Sequence, residues 1–134
     1  MKPKERKALG KYIRWVADEM ELRDWHIDLM RESAEKGTLA QVHPTFGRKH
    51  VEVRFCARFR ALPPEEQRNT VVHELVHLHT AAMQSQVEKD LEQHLAQGTD
   101  RVFFDSFQRN LEYAVDGLAN ALAKHMPLIS WPKS

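Results

Sequence analysis

A chain of 134 residues with 42% hydrophobic content can bury one core, so a single domain spanning 1–134 is expected. Lys and Arg number 20 against 19 Asp and Glu, a formal net charge of +1, which gives no global field to attract nucleic acid or an anionic membrane. The lone Cys56 excludes an internal disulfide framework, no stretch approaches a membrane span, and no apolar run follows Met1-Lys2-Pro3-Lys4 to form a secretory signal.

Leu9, Tyr12, Ile13, Val16, Ala17 and Met20 share one face, which predicts a helix from about Lys4 to Glu21. Lys2, Lys4, Arg6, Lys7, Lys11 and Arg14 make this segment basic. They read as a solvated helix face, with a DNA-binding patch as the alternative. Three strands should follow, over Trp25–Arg31, Thr38–His43 and Lys49–Ala57. The last is the clearest, because Val51, Val53 and Phe55 alternate with Glu52, Arg54 and Cys56; Cys56 itself is expected to be a small buried thiol. Pro44-Thr45-Phe46-Gly47 reads as a turn, and Phe46, Phe55 and Phe59 as core rather than substrate pockets.

Past a loop from Arg58 to Pro64, the acids Glu65 and Glu66 open a helix with Val72, Leu75, Val76, His79 and Met83 as its apolar stripe. Periodicity fades at Gln84-Ser85-Gln86, which suggests a separate polar connecting helix to about Gln97. Gly98-Thr99 marks a stop and a new start. A final helix over Asp100–His125 carries Phe104, Phe107, Leu111, Val115, Leu118 and Leu122, and Met126-Pro127 ends it. Leu128, Ile129 and Trp131 should pack back on the body. The expected class is α+β: a helix, a small, mostly antiparallel three-stranded sheet, then helices.

The chemistry sits in His73-Glu74-Leu75-Val76-His77, an H-E-x-x-H. Imidazoles four residues apart on a helix lie one above the other and can bind one zinc ion, while the intervening glutamate can reach a metal-activated water. Five residues match by accident in roughly a few per cent of chains of such composition, so context must carry the reading. It does: the pair borders the apolar stripe, between a dry wall and an open cleft.

A catalytic zinc takes a third protein ligand. Thr80 and Met83 stand where H-E-x-x-H-x-x-G-x-x-H would need Gly and His, so that arrangement is excluded. Glu112 is the better candidate. With Asp116 it forms E-x-x-x-D on the final helix, where the glutamate would coordinate and the aspartate would accept a hydrogen bond from His73. His94 is the rival, and Glu88, Glu92 and Asp105 are weaker ones. His26 and His50 read as exposed strand-end residues, and His79 as internally hydrogen-bonded.

His73-Glu74-x-x-His77 with Glu112-x-x-x-Asp116 resembles the gluzincin branch of zinc metallopeptidases, and more particularly the small single-domain metallopeptidase-like proteins of phages and bacteria. The resemblance implies a minimal zincin-like fold. It also implies that the strand before the H-E-x-x-H helix, Lys49–Ala57, edges the cleft and pairs with an extended substrate. In this reading zinc is held by His73, His77 and Glu112, and Glu74 is the general base for peptide hydrolysis. His43, Tyr113 and His125 are open choices for an oxyanion donor. A cytoplasmic monomer is expected, with a protein or peptide substrate and neither membrane nor nucleic acid as partner. The alternatives are a zinc-stabilised binding module without useful turnover, or a protease recruited to DNA-bound proteins.

Overall fold

The computed structural model describes residues 1–45 and 47–134. Phe46, expected in a turn and in the core, lies outside the described residues. The first helix, α1 (Pro3–Glu19), starts with a proline where the N–H has no helical partner anyway, and Glu5 accepts a 2.9 Å hydrogen bond from the Lys2 backbone N–H. Leu9, Ile13, Val16 and Ala17 are its buried face. Two of its cations work internally. Arg6 donates to the carbonyls of Leu29 and Met30 at 2.9 Å each, and Arg14 to those of Trp25 and Leu22 at 2.6 and 2.9 Å. The basic face of α1 thus reduces to the exposed lysines 2, 4, 7 and 11.

Three strands follow: β1 (His26–Leu29), β2 (Ala40–Thr45) and β3 (His50–Phe55), in the order β1-β3-β2. β2 and β3 pair antiparallel, from Ala40 beside Phe55 to Thr45 beside His50. β1 joins parallel on the other side of β3, so the sheet is mixed. Val51, Val53 and Phe55 turn inward to the helices, with Ile27, Leu29, Ala40 and Val42 packed around them. Pro44, expected to open a turn, instead belongs to β2. An edge strand tolerates it because a proline facing outward forfeits no ladder bond. Cys56, expected to be buried, is only half-buried just past β3.

The sheet order overturns one expectation. β3 is the central strand with partners on both sides, so it has no free edge to offer a substrate. β2 holds the edge instead.

A short 3-10 turn (Phe59–Ala61) leads into α2 (Pro64–His94), a single helix of 31 residues. No break separates the H-E-x-x-H segment from the expected connecting helix. The stretch 84–86 contains neither glycine nor proline, so the helix continues through it although its apolar periodicity fades. Gly98, with φ 92°, turns the chain, and α3 (Thr99–Ala123) returns antiparallel along α2. Its buried stripe is Phe104, Leu111, Val115, Ala119 and Ala123, while Leu118 and Leu122 are 53% and 38% exposed. Small residues let the two helix backbones approach, and the larger leucines stand to the side. Met83, expected on the stripe of α2, is exposed as well. No helix among the described residues is long and apolar enough to cross a membrane.

Gln67 fixes where α2 begins. Its buried amide nitrogen donates to the carbonyls of Phe59, Arg60 and Leu62 at 3.2, 2.9 and 2.9 Å, and its oxygen accepts from Trp131 Nε1 at 2.9 Å. Trp131 and buried Ile129 thereby hold the C-terminal segment on the body as expected, although Leu128 remains exposed. Removing one partner from a buried hydrogen bond costs about 1–3 kcal/mol per stranded group. Gln67→Leu should therefore lower unfolding stability by about 2–4 kcal/mol, read from the chemical-denaturation midpoint.

Candidate metal centre

His73 and His77 lie one turn apart on α2, and Glu112 and Asp116 one turn apart on α3. Because the helices run antiparallel, the step from His73 to His77 is matched by the reverse step from Asp116 to Glu112. His73 Nδ1 meets Asp116 Oδ1 at 2.9 Å, and His77 Nε2 meets Glu112 Oε1 at 3.0 Å. The two Nε2 atoms are 3.2 Å apart, and Glu112 Oε2 lies 3.4 Å from His73 Nε2.

With its Nδ1–H donated to Asp116, a neutral His73 ring presents a lone pair at Nε2. Burial lowers the pKa of His77 despite the opposing pull of Glu112, which favours the neutral, ligating form. Two ring nitrogens and a carboxyl group thus converge on one point. Around a tetrahedral zinc with bonds of about 2.0–2.2 Å, neighbouring donor atoms stand roughly 3.3–3.5 Å apart. The two Nε2 atoms, 3.2 Å apart, are close to that spacing, and the Glu112 carboxylate faces both, with Oε1 at 3.0 Å from His77 and Oε2 at 3.4 Å from His73. His73, His77 and Glu112 accordingly form a group able to hold a metal ion.

Glu74, next to His73, is 9% exposed. Burial, then the nearby Glu112 charge, pushes its carboxyl up to about 7. It lines two adjoining hollows that share Thr38, Ala40 and His73. One, of about 450 Å³, extends past His77 and Glu112 towards His43 and Gln84; the other, of about 630 Å³, extends towards Glu65, Asn69 and Asn120. β2 is therefore the wall of the cleft, with α2 its floor.

The remaining candidates fall elsewhere. His94 is the last residue of α2, about 25 Å along the axis from His77 at ~1.5 Å per residue, and is exposed. Glu88 lies on the same outer stretch and pairs with Arg101 at 3.5 Å. Glu92 is exposed there too, while Asp105 lines a different hollow beside Glu112. Of the three oxyanion donors considered, only His43 lines a hollow with Glu74; Tyr113 is 78% exposed, and His125 is exposed beyond the end of α3. His79 is exposed and donates to the Met20 carbonyl at 2.7 Å. One group escaped the sequence reading altogether: His26, Asp28 and His50 cluster on the sheet. The spacing of His26 and Asp28 puts both on one face, but the place of His50 depends on a strand register that no local pattern reveals.

No protein-family model, curated protein or solved structure matches the chain.

The buried Glu74 couples metal-free stability to pH. Its folded-state pKa is near 7 against an ordinary 4.5, so the folded protein holds a proton that the unfolded chain gives up between those values. Stability should fall as pH rises through that window and level off above it. At ~1.4 kcal/mol per unit the full effect is about 3 kcal/mol. In the presence of a chelator, Glu74→Gln should lie near the parent below about pH 4.5 and exceed it by about 3 kcal/mol above about pH 7, in denaturation curves at each pH.

Proposed function

We propose that this protein is a zinc-dependent peptidase of the cytoplasm, hydrolysing peptide bonds in a protein or peptide substrate. The observation that carries the reading is the convergence of His73 Nε2 and His77 Nε2, 3.2 Å apart, on the Glu112 carboxylate, whose two oxygens lie 3.0 and 3.4 Å from them, beside a buried Glu74 in a cleft. Zinc bound there would supply polarisation of the scissile carbonyl and a water acidic enough to react near neutral pH. Glu74 takes the proton from the attacking water and returns it to the leaving amine as the C–N bond breaks. Asp116 holds His73 in the tautomer whose Nε2 is free to ligate. The unpaired edge of β2 offers N–H and C=O groups to an extended peptide, and the two flanking hollows receive its side chains.

A second reading is a zinc-stabilised module that holds peptides without cleaving them. It draws on the openness of the cleft, since Glu112 and Asp116 are each at least half-exposed and water has ready access.

The two readings separate in one experiment. Glu74→Gln should keep zinc in the cleft while cleavage of a panel of denatured proteins falls by about 10²- to 10⁴-fold. Equal cleavage by both proteins would overturn the role of Glu74, and peptide binding without cleavage by either would favour the module. Metal retention tests the ligand assignment separately. Glu112→Ala should release zinc to a chelator at least tenfold more readily than His94→Ala, by about 1.4 kcal/mol or more. The reverse ranking would move the third ligand to α2.

A further inference from the structure

We propose a second divalent-metal site on the outward face of the sheet, formed by His26, Asp28 and His50. In the parallel pairing of β1 with β3, His26 stands directly beside His50, and Asp28 lies two residues further along β1 on the same face. Their neighbours Ile27, Val51 and Val53 point the other way, into the core. The two imidazoles stack with centroids 5.2 Å apart and planes 15° apart. Both turn Nε2 towards the one carboxylate, at 3.0 Å from His26 to Asp28 Oδ1 and 2.7 Å from His50 to Asp28 Oδ2. One donor atom from each residue lies within 4.8 Å of the others.

Two imidazole nitrogens and a carboxylate suit zinc, copper(II) or nickel(II) and discriminate against calcium and magnesium, which prefer oxygen. Each ring can offer its Nε2–H to Asp28. A divalent ion binds all three groups at once as each ring's proton moves to Nδ1, leaving its remaining positions to water. The site lies away from the cleft, because β1 and β2 occupy opposite edges of the sheet. It needs no catalytic role. β1 has only four residues and is held to β3 alone within the sheet, so a cross-strand ion acts as a pin at the start of both strands, where Asp24 and Lys49 also pair. Its greater exposure makes it the weaker and more exchangeable of the two sites.

Zinc titration calorimetry on the full chain tests this independently of peptidase activity. The parent should take up two equivalents, the second at least tenfold more weakly than the first. His77→Ala should keep only the weaker site, and Asp28→Asn or His50→Gln only the tighter one. Cobalt(II) added to His77→Ala should shift or broaden the ring-proton NMR signals of His26 and His50, a response that a merely structural cluster would not give. A single equivalent in the parent that vanishes in His77→Ala, or two equivalents retained by folded Asp28→Asn, would overturn the proposal. The first of those results would leave the cleft assignment standing. Loss of zinc from the cleft alone would leave this one.

Discussion

The antiparallel register of α2 against α3 is the constraint on which the candidate centre depends. Each helix contributes a pair of polar side chains one turn apart, and only one sliding position of the two helices puts His73 opposite Asp116 and His77 opposite Glu112. A shift by one residue would rotate the carboxylates by about 100° away from the imidazoles. The register is held by apolar contacts outside the site. Val115, Ala119 and Ala123 are buried where α3 returns towards the start of α2, and Phe104 is buried near its own N-terminus. Gln67 locks that start to the 3-10 turn and to Trp131. Site geometry is therefore a product of core packing at both ends of a helical hairpin.

The same packing concentrates negative charge. Glu74, Glu112 and Asp116 stand within one small region, and Glu112 already raises the pKa of Glu74. Neutral His77 cannot offset that charge, because its own burial disfavours protonation. On the proposed reading a divalent cation resolves the conflict, turning a cluster that is costly in isolation into a paired one. Stability forfeited by the metal-free fold at neutral pH then reappears as affinity for the ion.

What could be read from the sequence divides along the line between local and non-local determinants. His73, Glu74 and His77 lie within one turn or so of a helix, and their common face follows from periodicity alone. Glu112 and Asp116 could be nominated because they share a turn of another amphipathic helix, but their distance to the histidines depends on tertiary register. The α+β class and all three strands were also legible, since Val51, Val53 and Phe55 alternate plainly and their burial follows that alternation. The continuity of α2 is not, because loss of an apolar stripe leaves the same mark on periodicity whether or not the helix continues. Leu118 and Leu122 misled for a related reason: hydrophobicity alone marks large leucines as core, whereas a close helix pair selects alanines 119 and 123.

Strand order was the least accessible feature, and it has the largest functional consequence. Sequence order would set β2 between β1 and β3, yet β3 takes the centre. That one exchange frees the edge of β2 to face the cleft and brings β1 alongside β3 in parallel. The first consequence moves the peptide-pairing strand of the proposed mechanism from 49–57 to Ala40–Thr45, with Pro44 bounding how far a ladder could extend because it has no N–H. The second sets His26 beside His50, which an antiparallel or sequential sheet would have kept apart. Both edges of the sheet thus gain their chemical character from a single topological choice, made by burial of β3 on both flanks rather than by any motif.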